Sequence, residues 1–137
     1  MLRLETKGRA RALQILYAWE LTGEGVVHDV ATRMTRLTGP EPRILDFAER
    51  LAARVVDNVA LLDRQAAVAA ENWRMSRIAV VERNILRLAI QELTDAEVPP
   101  KVAIDEAVRL AHWFGGAKAP GFVNGVLDRV AHSLGRL

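Results

Sequence analysis

Basic side chains near the N-terminus are the residues of this sequence that are best suited to bind a ligand. Four cations against one acid give the first eleven residues a local charge of +3: Arg3, Lys7, Arg9 and Arg11 against Glu5. Ammonium and guanidinium groups at this density neutralise phosphates. In a first helical turn they also oppose the helix dipole, by roughly a few tenths of a kcal/mol each. Because this works against stability, it favours a ligand-binding role, and an ordinary solvated helix end is the alternative.

A glycine-rich corner is a second place where an anion could bind. The segment GGAKAPG at residues 115–121 precedes a predicted helix and contains Lys118. The free N–H groups and the dipole of a helix N-terminus attract anions. The segment lacks the G-x-x-x-x-G-K-[ST] spacing and the preceding strand of a P-loop, so the sequence does not predict a nucleotide-phosphate loop.

The sequence offers little that could support catalysis or metal binding. It contains three histidines (28, 112 and 132) and zero cysteines, which excludes disulfides and thiolate metal sites. Asp128 and His132 lie four residues apart, as is usual on the polar face of a helix. The sequence shows neither a serine nucleophile elbow nor a carboxylate pair in an acid–base setting. We therefore expect a protein that is not an enzyme and needs no cofactor or metal.

The composition predicts a single globular, cytoplasmic domain over residues 1–137. Half of the residues are hydrophobic and 26% are charged, and a chain of this length can bury a core without disulfides or metals. The sequence lacks an apolar run near the ~18 residues that cross a bilayer, and its N-terminus lacks the apolar stretch of a secretory signal. The net charge of +2 is too small to indicate a nucleic-acid partner by itself.

Apolar residues at helical spacing predict seven helices. Their expected ranges are 6–22, 26–38, 43–57, 58–70, 78 or 80 to 96, 99–114 and 120–134. The third and fourth would be too long as one helix, so we expect a break near Asp57 and Asn58. We expect Gly115 and Gly116 to end the sixth helix in the left-handed conformation. Trp73, in the connector before the fifth helix, is expected to plug the core.

Wheel positions predict which faces of these helices are buried. The first helix has two apolar faces, of which the second is Leu13, Tyr17 and Leu21. Between the two faces runs a polar stripe of Lys7, Arg11 and Gln14. The fifth helix carries a polar stripe of its own: Arg83, Arg87 and Gln91. Alternating charges between residues 43 and 64, Asp63 included, are expected to be solvated surface.

Two residues do not fit the faces on which they fall. Glu82 lies inside the apolar stripe of the fifth helix, where a carboxylate needs an ion pair, a position at the helix mouth or a binding partner. Trp113 lies on the polar side of the sixth helix, opposite a core side that ends at Phe114. An exposed tryptophan marks a contact area, and a second packing layer explains it equally well.

Three blocks of the sequence resemble the NusB family of bacterial transcription antitermination factors. They are RxxAxQxLY at residues 9–17, ILRLA with EL at residues 85–93, and KVAIDEAVRLAHWFG followed by FVNGVLDRV at residues 101–130. The blocks occur in the family's order and spacing, and the resemblance covers the whole chain. It implies an all-α fold of about seven helices in two packed sub-bundles, with the first helix between them.

The resemblance also implies a function and its partners. Family members bind boxA RNA of nascent ribosomal RNA together with NusE, a ribosomal protein, and the pair joins an antitermination complex on RNA polymerase. The RNA-binding residues are then expected to be Lys7, Arg9, Arg11, Gln14 and Lys118. The cations of the first helix would neutralise phosphates, while Gln14, with Tyr17 as a further candidate, would read bases. The expected partner-binding residues are Tyr17, Glu82 and Trp113.

Four positions depart from the family pattern, and two other functions stay open. Ala119 replaces a frequent capping serine, Gln91 a tyrosine and Asp105 an asparagine, while Lys118 lies in a corner that is often acidic.

The same domain occurs fused to rRNA cytosine methyltransferases as an RNA-binding module. The 137 residues of this sequence include neither a methyl-donor glycine motif nor a cysteine. We therefore expect a free-standing factor and not a methyltransferase module. A protein-only helical adaptor, with a homodimer as one possibility, is the other alternative.

Overall fold

Helices make up the regular structure of the described part of the chain. A computed structural model describes residues 2–22, 27–38, 41–71 and 75–137, without the side chains of residues 33–38 and 76. Within these residues there are seven α-helices: α1 (Leu4–Thr22), α2 (Val27–Thr38), α3 (Pro42–Asp57), α4 (Val59–Ala69), α5 (Val80–Asp95), α6 (Pro100–Phe114) and α7 (Ala119–Ser133). The predicted all-α class with seven helices is confirmed. Trp73, which was predicted to plug the core, lies outside the described residues.

The described residues fall into two compact units. The first is Met1–Asp57 and the second is Asn58–Leu137. The boundary between them coincides with the end of α3, so the break that the sequence predicted near Asp57 and Asn58 is confirmed. Among the described residues, none of the helices has the length and hydropathy needed to cross a membrane.

In the first unit, α1 packs against α3 and α2. Its core side consists of fully buried aliphatic residues: Ala12, Ile15 and Leu16. Gly8 lies where the ring of Phe47 reaches α1, because a Cβ at Gly8 would collide with that ring. The small residue therefore lets α1 and α3 approach closely, a role that the sequence pattern did not reveal.

In the second unit, α5 is the central helix, with α4, α6 and α7 packed around it. Every residue from Asn84 to Leu93 is buried, including the predicted polar stripe residues Arg87 and Gln91. The predicted polar stripe is therefore not a solvent-exposed face at these two positions. A wheel pattern shows which side chains are polar, but it does not show whether other helices supply polar partners.

Arg87 and Asp63 form a partly buried ion pair between α5 and α4. The Arg87 Nε atom donates to Asp63 Oδ1 at 2.7 Å, and its Nη2 atom donates to Oδ2 at 2.8 Å. A third bond runs from Arg87 Nη1 to Asn84 Oδ1 at 3.0 Å. Such a bidentate arrangement is the strongest form of arginine–carboxylate pairing. Asp63 was expected to be solvated surface, and the structure corrects this because the carboxylate has a buried cation to compensate.

Gln91 links the start of α4 to the end of α5. Its Oε1 atom accepts a hydrogen bond from Asn58 Nδ2 at 3.0 Å, and its Nε2 atom donates to Asp95 Oδ1 at 2.8 Å. The amide serves both neighbours at once because it carries a donor and an acceptor. Gln91 therefore has a structural role that accounts for a polar residue at a buried position.

Replacing Arg87 by alanine should lower the free energy of unfolding by about 2–3 kcal/mol, because the partly buried Asp63 carboxylate loses its partner. Chemical unfolding followed by circular dichroism measures this change. Arg50→Ala is the matched control, since Arg50 pairs with Asp46 at 3.0 Å on the surface. That variant should lose less than about 1 kcal/mol. Equal losses in the two variants would contradict the role given to Arg87.

The contact between α2 and α3 should depend on pH through His28. The ring Nδ1 atom of His28 bonds the Glu49 carboxylate, and this hydrogen bond, followed by the negative charge of Glu49, raises the pKa of His28 above 6.5. A raised pKa in the folded state adds stability that is fully present below pH 6.5 and is lost as the pH rises through the raised value. The stability difference between wild type and His28→Gln should therefore shrink as the pH rises.

Thermal unfolding at about pH 6 and about pH 8.5 measures that difference. His112→Gln is the matched control, because His112 is exposed and has no ion pair within the described part of the chain. A gap between wild type and His28→Gln that is the same at both pH values would contradict the prediction.

Candidate nucleic-acid interface

The predicted polar stripe of α1 lies at the protein surface. Lys7 and Gln14 are exposed, and Arg11 between them is half-buried. These positions differ by four and three residues, so their side chains share one face of the helix. Arg3 precedes α1, and its carbonyl accepts a hydrogen bond from the Lys7 N–H at 3.1 Å. The arrangement presents cations along one edge of α1 and could hold a phosphate backbone.

Arg9 does not share this surface. Its residue is only 4% exposed, and its guanidinium carbon lies 5.8 Å from the centre of the Phe47 ring. A guanidinium in this position packs on the aromatic face and shields the α1–α3 contact. The sequence placed Arg9 among the phosphate-binding residues, whereas the structure places it in the packing of the first unit. The reason is its wheel position, which falls outside the stripe of Lys7 and Arg11.

The second predicted apolar face of α1 is buried only at Leu13. Tyr17 is 41% exposed and Leu21 is 60% exposed, so these two residues form an apolar strip at the surface. The prediction that this whole face is buried was therefore wrong at its C-terminal end. Tyr17 and Leu21 are accessible to a binding partner.

In the glycine-rich corner between α6 and α7, Gly115 packs closely against Ala111 and Ala119. Gly115 has extended backbone angles (φ −91°, ψ 176°), so the predicted left-handed glycine is wrong. A Cβ at Gly115 would lie 2.6 Å from Ala119 Cβ and 2.9 Å from the Ala111 carbonyl oxygen. Glycine is therefore needed here for space. Ala119, which replaces the frequent serine, is buried at this contact.

Glu82 reaches this corner from the first turn of α5. Its Oε1 atom accepts a hydrogen bond from the Gly116 N–H at 3.2 Å. The carboxylate also lies near the N-terminal end of α5, where the helix dipole favours a negative charge. Glu82 thus has an intramolecular partner, and its immediate effect is to fix the corner that carries Lys118.

A cavity of about 320 Å³ opens beside the corner. Its walls combine two cations and one carboxylate with apolar surface: Arg77, Ile78, Ala79, Glu82, Lys118, Ala119 and Phe122. The helices α5 and α7 both begin here, and within the described residues neither has a side-chain hydrogen bond at its N-cap. The positive ends of the two helix dipoles and the two cations make the cavity attractive to an anion. Neither Arg77 nor Phe122 was among the site residues predicted from the sequence.

Trp113 and Phe114 form an exposed aromatic pair at the end of α6. Trp113 is 45% exposed, as its polar-side position predicted, but Phe114 is 42% exposed and was expected to be buried. The two rings meet edge to face, with their centres 6.3 Å apart and their planes at 87°. The helix ends at Phe114, so the residue has no following turn to cover its ring.

Across the described residues, the structure shows no group of three or more histidine or carboxylate side chains arranged to hold a metal ion. The surface features that it does show are cations, an amide and aromatic rings. These are the groups with which proteins bind phosphates and bases.

Comparison with known proteins identifies related chains. Residues 6–132 match the model of the NusB family. A transcription antitermination protein NusB from Sorangium cellulosum is 43% identical over 131 residues, which cover 95% of this chain and 93% of the relative. The corresponding protein from Anaeromyxobacter dehalogenans is 41% identical over 130 residues, with 94% and 91% covered.

Solved structures of NusB proteins are also similar to this chain. NusB of T. maritima superposes with a TM-score of 0.85 at 28% identity, covering 96% of this chain and 93% of that protein. A crystal structure of the antitermination factors NusB and NusE in complex with double-stranded RNA contains a chain with a TM-score of 0.85 at 26% identity. The match covers 97% of this chain and 99% of that one.

Gly115→Ala should lower the free energy of unfolding by about 1–3 kcal/mol, because its Cβ would press on the backbone oxygen of Ala111. Gly121→Ala is the matched control: among the described residues, a Cβ at Gly121 would have no heavy atom within 4 Å apart from its chain neighbours and the backbone of its own helix. That variant, inside α7, should gain up to about 1 kcal/mol from helix propensity. Thermal unfolding measures both, and a neutral Gly115→Ala would show that the corner is not sterically closed.

Proposed function

The chain belongs to the NusB family, and from this membership we propose that it is an RNA-binding transcription antitermination factor. It binds boxA RNA together with NusE and joins an antitermination complex on RNA polymerase in the cytoplasm. The observation that carries the proposal is the exposed cationic stripe of α1 in a chain whose relatives are antitermination proteins. Proteins of this kind regulate transcription and are not enzymes, as the sequence predicted.

The α1 stripe would bind the RNA backbone. Lys7 and Arg11 each neutralise a phosphate and release counterions, which makes the affinity sensitive to salt. Gln14 follows them on the same face with both a donor and an acceptor, so it can bond base edges of an unpaired strand. Because so few cations are involved, the protein alone binds RNA with modest affinity, and NusE adds to the RNA-binding surface.

Lys118 belongs to a second RNA-binding surface at the glycine-rich corner. Lys118 and Arg77 lie on the wall of the cavity into which the N-termini of α5 and α7 open. A phosphate at this place would meet two cations and the positive ends of two helix dipoles, with the Glu82 carboxylate held by the Gly116 N–H. Glu82 supports this surface indirectly, because its hydrogen bond to the Gly116 N–H holds the corner in place.

The exposed apolar strip of α1 is the proposed contact for NusE. Tyr17 and Leu21 present rings and methyl groups to solvent, and a tyrosine beside apolar surface is typical of protein interfaces. Glu82, in the second unit, is the candidate for a separate partner contact at the glycine-rich corner. A homodimer that uses the same strip is the alternative, in which case dimerisation and NusE would compete for Tyr17.

Lys7→Gln and Arg11→Gln should each weaken the binding of boxA RNA by roughly three- to tenfold, and each should reduce the slope of log affinity against log salt by about 0.7. The loss should be similar for other single-stranded sequences, since phosphates carry no sequence information. Fluorescence anisotropy of labelled RNA at several salt concentrations measures both quantities.

Arg43→Gln is the matched control, since it removes an exposed cation at the start of α3 and should leave the RNA affinity unchanged. Arg9→Gln should lower the free energy of unfolding, because Arg9 packs on Phe47. Its effect on the salt dependence of RNA binding should be small. A Lys7→Gln, Arg11→Gln double variant that keeps the wild-type RNA affinity would remove the α1 stripe from the proposal. It would then favour a protein-only adaptor.

A further inference from the structure

The aromatic pair at the end of α6 carries a cation that the proposed function does not use. The Arg109 guanidinium carbon lies 5.8 Å from the centre of the Trp113 ring, at the distance of a cation–π contact. Phe114 meets the same ring edge to face. Trp113 is therefore supported from two sides, and it still exposes 45% of its surface.

We propose that Trp113 and Arg109 form a stacking site for an unpaired RNA base. The inference rests on the RNA binding proposed above and adds a subsite to it. In single-stranded RNA recognition, bases stack on aromatic rings and on planar guanidinium groups. The Arg109–Trp113 pair presents both kinds of surface on adjacent turns of one helix. The sequence led us to expect a protein contact at Trp113, and the geometry points to a nucleobase instead.

The size of the patch favours a base over a protein. A Phe or Trp side chain offers on the order of 150–250 Å², and Trp113 and Phe114 expose 45% and 42% of their surfaces. Together they present on the order of 200 Å², against about 800 Å² on each side of a standard protein interface. Val102, the next exposed apolar residue on this side of α6, is eleven residues away, or about 16 Å along the helix. The patch is large enough for one or two bases.

The charges around the ring are compatible with RNA. Arg109 faces Glu106 at 3.8 Å, a long and partly exposed pair that holds the guanidinium only weakly. A phosphate can compete for this guanidinium while the ring accepts the base. The glycine-rich corner follows Phe114 directly in the chain, and Lys118 lies within it. The stacking site thus continues the proposed RNA surface of the corner.

Anisotropy titrations of labelled boxA RNA with wild type, Trp113→Ala and Trp113→Phe test the proposal. Trp113→Ala should weaken RNA binding roughly fivefold or more, because it removes the stacking surface. Trp113→Phe keeps an aromatic face and should recover most of the affinity. Val68→Ala is the matched control, since Val68 is an apolar residue of α4 that is 81% exposed, and it should bind as wild type does.

RNAs with a single abasic position identify the stacked base. One or two such RNAs should bind wild type more weakly while binding Trp113→Ala no more weakly than intact RNA does, since the stacking partner is already gone. Additive losses at every abasic position would overturn the proposal. Wild-type RNA affinity in Trp113→Ala would also overturn it, and a Trp113→Ala variant that loses only NusE affinity would assign the ring to a protein contact.

Comparing the Lys7→Gln and Trp113→Ala titrations distinguishes a failure of the stacking site from a failure of the proposed RNA-binding function. If Lys7→Gln weakens RNA binding and Trp113→Ala does not, the stacking site fails while the proposed function stands. If wild type does not bind boxA RNA at all, both fail.

Discussion

The bidentate pair between Arg87 and Asp63 is the interaction on which the second unit most depends. The helix α5 is buried from Asn84 to Leu93, and three other helices pack around it. The charged guanidinium of Arg87 is tolerated in that position because each of its three nitrogens donates a hydrogen bond to a side-chain oxygen. Gln91 extends the same principle, since its amide joins Asn58 to Asp95. These polar links fix the position of α4 against α5. Apolar packing alone would define that position less specifically.

The fixed position of α5 carries through to the binding surface. Its first turn holds Glu82, whose carboxylate binds the Gly116 N–H and thereby sets the corner between α6 and α7. Gly115 allows the corner to close because it has no Cβ. Lys118 lies in this corner, and the aromatic pair of α6 directly precedes it. In the first unit, burial of one side of α1 leaves Lys7, Gln14 and part of Arg11 at the surface. Cations in a first helical turn reduce helix stability slightly, which is the expected mark of a surface kept for binding.

The sequence predicted the helices well and the contacts less well. Apolar periodicity and the proline and glycine positions depend on local physics, so the bounds of α6 and α7 and the break after Asp57 were predicted closely. The burial of Arg87 could not be predicted, because its partner Asp63 is 24 residues away and looked like solvated charge. The exposure of Phe114 was not predicted, since the wheel does not show that a residue at a helix end lacks a following turn to cover its ring. The burial of Arg9 was not predicted either, since the wheel does not show where the Phe47 ring packs. Among the candidate site residues, the α1 stripe was predicted from spacing alone, whereas Arg77 became visible only when the cavity placed it beside Lys118.

The most direct test of the central claim is a titration of fluorescently labelled boxA RNA with the wild-type protein, with and without NusE, at two salt concentrations. The account predicts binding that weakens as salt rises, because phosphate neutralisation supplies much of the affinity. It also predicts tighter binding when NusE is present. Equal affinity with and without NusE would contradict the cooperative role proposed for the pair. Flat titrations in both arms would show that the chain shares the fold of its relatives without their RNA binding.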